Sequence, residues 1–129
     1  MVEDTLDRVE VGPSGVPYAY GMNGRPITTR QAAFLLGDLN RRTLHWTPVR
    51  LPGGVPAEVR TVCSVFDDDA ATEHVPQGYV PQVFASNLYT PAPESRFLVQ
   101  LWTYGSPAEA NAGHREAVEE FLSGRARAA

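Results

Sequence analysis

The chain predicts an α+β fold: an antiparallel sheet of about four strands with two helices, the longer one C-terminal, packed on one face. Three observations lead there. Two segments carry helix-start signatures followed by apolar residues three and four apart, one beginning at Thr28 and one at Ser106. Between them lie extended segments rich in β-branched and aromatic residues, bounded by Pro and Gly. The balance of 43% apolar and 20% charged residues over 129 positions is that of a globular chain with one core.

The elements follow in order. Residues 1–15 are polar and punctuated by Pro13 and Gly15, and read as a flexible N-terminal segment. The domain is expected over residues 16–124, with 125–129 as a disordered tail. Tyr18-Ala19-Tyr20 is a short extended piece, and Met22-Asn23-Gly24-Arg25-Pro26 a turn, because Asn-Gly accepts positive φ at little cost. Thr28 with Gln31 is a capping box, and Ala32, Leu35, Leu36 and Leu39 give the helix one apolar face up to Asn40. Residues Leu44 to Leu51 are extended, with Pro48 favouring an edge, and Pro52-Gly53-Gly54 turns the chain. The clearest strand runs from Glu58 to Phe66, with Val59, Thr61, Cys63 and Val65 on one face and Arg60, Val62, Ser64 and Phe66 on the other. Asp67 to Gly78 is a loop, Tyr79 to Tyr89 a second long strand interrupted early by Pro81, and Thr90 to Glu94 a short connection. Arg96 to Thr103 is apolar on both faces, which suits a central strand. Ser106-Pro107-Ala108-Glu109 opens the last helix, Gly124 is a suitable stop, and His114, Ala117, Val118, Phe121 and Leu122 share one face.

Composition excludes several functions. All eleven cationic side chains are Arg, so Schiff-base chemistry, a P-loop lysine and a lysine base are absent. One Cys permits neither an internal disulfide nor a multi-cysteine metal cluster. No apolar run is long enough for a transmembrane helix, and the acidic start Met1-Val2-Glu3-Asp4-Thr5 lacks a signal segment, so the expectation is a cytoplasmic chain without a membrane partner. The net charge of −4 lacks the basic excess of a nucleic-acid binder, although Arg41, Arg42, Arg50 and Arg60 would make a patch if they converged. No cofactor is implied.

Several landmarks, in matching order over residues 18 to 122, carry a resemblance: Asn23-Gly24-Arg25-Pro26-Ile27; Val59-Arg60-Thr61-Val62 running into Phe66-Asp67-Asp68; Phe84-Ala85-Ser86-Asn87-Leu88-Tyr89; and Tyr104-Gly105-Ser106 followed by Glu109-Ala110 and Gly113-His114. This order resembles a family of small uncharacterised proteins of bacteria, especially actinobacteria, and of their phages. The final motif is the most specific. Where that family has a Leu-Asp-His tip this chain has Phe66-Asp67-Asp68, and where the family has a Glu this chain has Ala85. The resemblance implies no activity. It implies a context: a phage or prophage gene whose product acts on a host component in the host-cell cytoplasm.

Individual residues offer candidate chemistry. His114, on the apolar stripe and preceded by Gly113, is a candidate general base or ligand; the competing reading is a buried histidine bonded to the sheet. Asp67, Asp68, Asp69, Glu73 and His74 are weak candidates for a divalent cation, since their spacing is not that of an EF-hand. Cys63 with His45 on a neighbouring strand is a candidate nucleophile pair, set against a buried cysteine acting as a small hydrophobe. Aromatic residues occur on both faces of a sheet that two helices cover only once, so some aromatic surface is expected to stay open for a partner. Trp46, Arg50, Arg60 and Trp102 are the expected partner-binding residues, because Trp and Arg dominate hot spots. The balance is against an enzyme. It favours a protein-interaction module for a host protein or for its own copy as a homo-oligomer. A nucleic-acid regulator using the Arg residues and a small enzyme centred on His114 are the alternatives.

Overall fold

The computed structural model describes residues 6–122. Strands β1 (Thr43–Arg50), β2 (Pro56–Cys63), β3 (Phe84–Tyr89) and β4 (Phe97–Tyr104) form one antiparallel sheet in the order β1-β2-β3-β4. Among the described residues three α-helices accompany it: α1 (Thr29–Leu36), α2 (Leu39–Arg42) and α3 (Pro107–Leu122). The α+β class is therefore as expected, with the longest helix C-terminal.

The predicted capping box forms: the Gln31 amide donates to Thr28 Oγ1 at 3.1 Å and the Thr28 amide donates to Gln31 Oε1 at 2.9 Å. The helix stops at Leu36 instead of Asn40. Gly37 caps it, and Asp38 accepts from the Arg41 amide to start α2 at once, so two capping residues divide the expected helix. Ala32 and Leu35 are buried but Leu36 is exposed, which narrows the predicted stripe.

The two central strands are the buried ones: every residue of β3 is buried, and in β2 every residue from Ala57 to Cys63. β2 ends before the predicted Phe66, because Val65 takes a φ of 70° and turns the chain. β3 begins at Phe84 instead of Tyr79; residues 79–83 run outside the ladder, although the Val83 carbonyl accepts from the Ser64 amide at 2.8 Å. β4 is not the expected central strand. It is an edge of the sheet, and none of its residues is buried.

Helix α3 starts as its sequence signals. Ser106 Oγ accepts from the Glu109 amide, and Glu109 accepts from the Gly105 amide. It lies across all four strands and buries Ala110, Gly113, His114 and Ala117. A Cβ added to Gly113 would sit 2.1 Å from the Tyr104 ring, so glycine at this point lets β4 approach the helix backbone. The predicted stop Gly124 and the side chains of Phe121 and Leu122 lie outside the described residues.

Ordered hydrogen bonding begins before the expected boundary at Val16. The Tyr18 amide donates to the Glu10 carbonyl, the Thr29 amide donates to the Arg8 carbonyl, and Arg30 pairs with Asp7 at 2.8 Å. The expected tail 125–129 and the first five residues lie outside the described residues.

Two apolar clusters make the core. One joins Val49, Ala57, Val59 and Leu88 to Ala117 under α3. The other gathers Ala19, Tyr20, Ala32, Leu35, Cys63, Val65, Val83, Phe84 and Ala110. The sheet face opposite α3 has no long helix. There α2 and the connection after β3 contribute side-chain and backbone groups that close over Glu58 and Arg60.

Candidate functional site: a hydroxyl–imidazole chain and an open sheet edge

His114 is 8% exposed and lies inside a hydrogen-bonded chain that touches every strand. From β1, Thr47 Oγ1 is 2.8 Å from His114 Nε2. From β2, Thr61 Oγ1 is 2.7 Å from His114 Nδ1 and 2.6 Å from Ser86 Oγ of β3. Ser86 Oγ is in turn 3.0 Å from the Tyr104 hydroxyl of β4. Each hydroxyl can donate one way and accept the other, so the chain runs in either of two consistent directions with a neutral imidazole.

A hydroxyl on one imidazole nitrogen and a polar group on the other is the outline of a nucleophile–base pair. Two features argue for a strut instead. The group behind the imidazole is Thr61, which carries no charge to stabilise an imidazolium. Burial, followed by the nearby His45, pushes the His114 pKa down to about 4, so it stays neutral and is a poor proton acceptor near neutrality. His45 lies with its ring centre 5.2 Å from that of His114, and its Nε2 is 2.6 Å from Asn111 Oδ1. A shallow groove of about 370 Å³ runs along this side, lined by His45, Thr47, Asn111, His114, Arg115 and Glu119 among others. The arrangement satisfies five buried or half-buried polar side chains while fastening α3 to the sheet.

The four expected partner-binding residues do not form one patch. Arg60 is 6% exposed and pairs with Glu58, itself buried, at 3.3 Å. Its guanidinium also donates to Asn40, Thr43 and Ser95. The expectation of a surface Arg60 is corrected: alternation along β2 puts it on the face opposite α3, where four polar side chains bond it. Burial raises the Glu58 pKa, but the Ala92 amide, the Trp46 indole and Arg60 outweigh it, and the net shift is downward. Trp46 is about half exposed, in the row with Arg60 and Asn87. Trp102 is also exposed but lies in the adjacent row with Ser86 and Thr61, on the other edge strand. Adjacent rows point to opposite faces, so the two Trp side chains are separated by the sheet. Arg50 is exposed and donates to the Gly54 carbonyl. Arg42 donates to the Cys63 carbonyl. The Arg face needed for nucleic acid thus has Arg60 buried and Arg42 turned to the backbone.

The acidic loop has a structural task. Asp67 is buried, caps the short 3-10 turn Asp68–Ala71 by accepting from the Asp69 amide, and accepts a hydrogen bond from the Tyr79 hydroxyl. Burial, the bond to Asp67 and its charge push the Tyr79 pKa up. Asp68, Asp69, Glu73 and His74 are exposed, and among the described residues no three His, Cys, Asp or Glu side chains gather as metal ligands. Cys63 is fully buried with its thiol toward the Tyr20 carbonyl at 3.4 Å, and burial pushes its pKa up. That is the setting of an inert core cysteine, and its recorded hydrogen-bond partners do not include His45.

The feature that sequence reasoning placed wrongly is β4. Its eight residues, Phe-Leu-Val-Gln-Leu-Trp-Thr-Tyr, contain no charge and no proline. Phe97 is 58% exposed, and Leu98, Val99 and Trp102 are between 42% and 48% exposed. The opposite edge, β1, carries Pro48 within the strand and a terminal Arg50. Those are the ordinary devices that keep an edge from pairing. The register of β4 with β3 shifts at two places, leaving Leu101 and Leu98 as extra residues that bend it. The signal that would have found this edge is the short Thr90–Arg96 connection, which makes β4 the neighbour of β3 with no later strand to flank it.

No helix among the described residues is long and apolar enough to cross a membrane. Compared with protein-family models, curated proteins and solved structures, the chain matches none.

Proposed function

We propose that the chain is a protein-interaction module and that the outer edge of β4 is its docking element. The observation that carries this reading is an eight-residue edge strand, uncharged, without proline and with no buried residue, in a sheet whose other edge is guarded. Such an edge presents unpaired backbone donors and acceptors together with apolar side chains, and an added strand satisfies both. The partner chemistry is an extended polypeptide segment with apolar, uncharged side chains facing Phe97, Leu98, Val99 and Trp102. The motif resemblance supplies the setting: a phage- or prophage-derived factor in the cytoplasm of its host, acting on a host protein. The His114 chain supports the same reading by default, since it serves as a strut.

The test is a side-by-side capture from host lysate with the wild-type chain, Val99→Lys, and Arg50→Glu on the opposite edge. A protein retained by wild type and Arg50→Glu but lost with Val99→Lys, at high as well as low salt, is the expected result. Retention that ignores Val99→Lys moves the docking surface elsewhere. Capture of nucleic acid that disappears with salt favours the Arg reading instead.

A further inference from the structure

The turn between Gly21 and Arg25 serves neither the His114 chain nor the β4 edge, and it places an asparagine directly before a glycine. We propose that Asn23 is a site of spontaneous deamidation, and that its conversion loosens the contact between this turn and the start of α3.

The reaction needs only water. The Gly24 backbone nitrogen gives its proton to solvent and attacks Asn23 Cγ. As the new N–Cγ bond forms, the Cγ–Nδ2 bond breaks, and the amide nitrogen takes a proton from solvent and leaves as ammonia. The succinimide that results adds one water. Cleavage of its N–Cγ bond gives aspartate at position 23. Cleavage of the bond from the same nitrogen to the backbone carbonyl carbon gives isoaspartate, with the main chain routed through the side chain.

Three observations single out Asn23. The first is steric. Of the four asparagines Asn23 alone precedes glycine; Asn40, Asn87 and Asn111 precede Arg41, Leu88 and Ala112, whose Cβ atoms crowd the attacking nitrogen. The second is access. Asn23 is exposed, whereas Asn87 is 7% exposed. Asn40 Oδ1 accepts from Arg60, and Asn111 Oδ1 lies 2.6 Å from His45 Nε2, so both side chains are tied to other elements. The third is electrostatic. Asn23 Oδ1 accepts from the Arg25 amide at 3.0 Å. Negative charge collects on that oxygen as Cγ becomes tetrahedral, and a donor already points at it. One bond opposes attack: the Gly24 amide donates to the Gly21 carbonyl at 2.9 Å. An exposed turn opens locally at low cost, so this bond slows the reaction without preventing it.

Conversion reaches α3 because the turn lies against it. A Cβ added to Gly24 would sit 3.3 Å from Pro107 Cδ and 3.7 Å from the Phe84 ring. The turn is closed by the Tyr20–Pro26 bridge and by the Gly21 amide donating to the Arg25 carbonyl at 2.9 Å. Isoaspartate adds one methylene to the main chain inside that closure, so the Gly24 backbone can no longer keep both its place in the turn and its seat on Pro107. Either product also adds a negative charge to the chain's −4.

The full chain is held in mildly alkaline buffer, sampled over weeks and mapped by mass spectrometry, with electron-transfer fragmentation to separate aspartate from isoaspartate. Wild type is expected to convert at Asn23 to both products while Asn40, Asn87 and Asn111 remain asparagine. In the isoaspartyl fraction the Glu109 and Ala110 amides, which bond Ser106 at the start of α3, are expected to exchange faster than in fresh protein. Aged Asn23→Ser should show neither change. The same chain unfolded in urea serves as a positive control for the chemistry. An Asn23 that stays intact in the folded chain while the urea-unfolded chain converts, or conversion spread equally over the four asparagines, overturns the site. Converted protein whose Glu109 and Ala110 amides exchange as before overturns the link to α3.

Discussion

At the scale of single residues the protein is organised by two buried polar groups, His114 and Arg60, that point to opposite faces of the sheet. His114 is held neutral, its pKa lowered from the usual value near 6.5 to about 4. For a base with a depressed folded pKa, the unfolded chain takes up the proton first as pH falls. Stability is therefore complete above about 6.5 and is lost as pH falls through that value toward 4. Urea unfolding at successive pH values should show a decline of roughly 2–3 kcal/mol across that window, and the slope should flatten in His114→Gln. An unchanged midpoint between pH 7 and pH 4.5 would show that the imidazole is not buried as described. Glu58 acts lower down: its pKa is depressed, so its contribution is present above the ordinary glutamate range and disappears at more acid pH. Arg60→Ala leaves the buried Glu58 carboxylate with the Ala92 amide and the Trp46 indole, and should cost about 3–5 kcal/mol in chemical denaturation. A loss within about 0.5 kcal/mol, as for an ordinary surface change, would return Arg60 to the surface role its sequence position suggested.

At the scale of elements, the helix starts and the sequence order of strands were legible and the strand environments were not. Thr28 with Gln31 and Ser106 with Glu109 mark their helices because capping is local chemistry, settled within four residues. The early stop of α1 was legible in part: Gly37 and Asp38 are adjacent, and the second cap was overlooked. β4 departs from the expectation because apolar residues on both faces describe a central strand and an exposed edge equally well; only the strand order separates them. Arg60 was misread for the converse reason. A charged residue in a strand is exposed by default, and its four partners, Asn40, Thr43, Glu58 and Ser95, are spread over the sequence. A glycine inside a helix marks a point of close approach, and at Gly113 the neighbour is Tyr104. Gly113→Ala gains about 1 kcal/mol of helix propensity, yet should lower stability, because the Tyr104 ring must leave and its bond to Ser86 goes with it. Thermal melting of Gly113→Ala, Tyr104→Ala and the double variant forms a cycle in which the double variant is less destabilised than the sum. Simple additivity would contradict the contact.

At the scale of the whole molecule the account is one of asymmetry. One sheet face is fastened to α3 by apolar clusters and the hydroxyl–imidazole chain. The other face is closed by a buried ion pair under short segments. One edge carries Pro48 and a terminal Arg50; the other carries neither proline nor charge, although two register shifts bend it. This asymmetry is what supports the proposal that β4 is the docking edge. The measurement that bears most directly on this is backbone amide exchange of β1 and β4, compared with and without the protein captured from lysate. The account predicts that outward-facing amides within Phe97–Tyr104 become protected when that protein is bound while those of Thr43–Arg50 do not change. Amides of β4 that exchange equally fast in both states, or protection that appears along β1 instead, would contradict it.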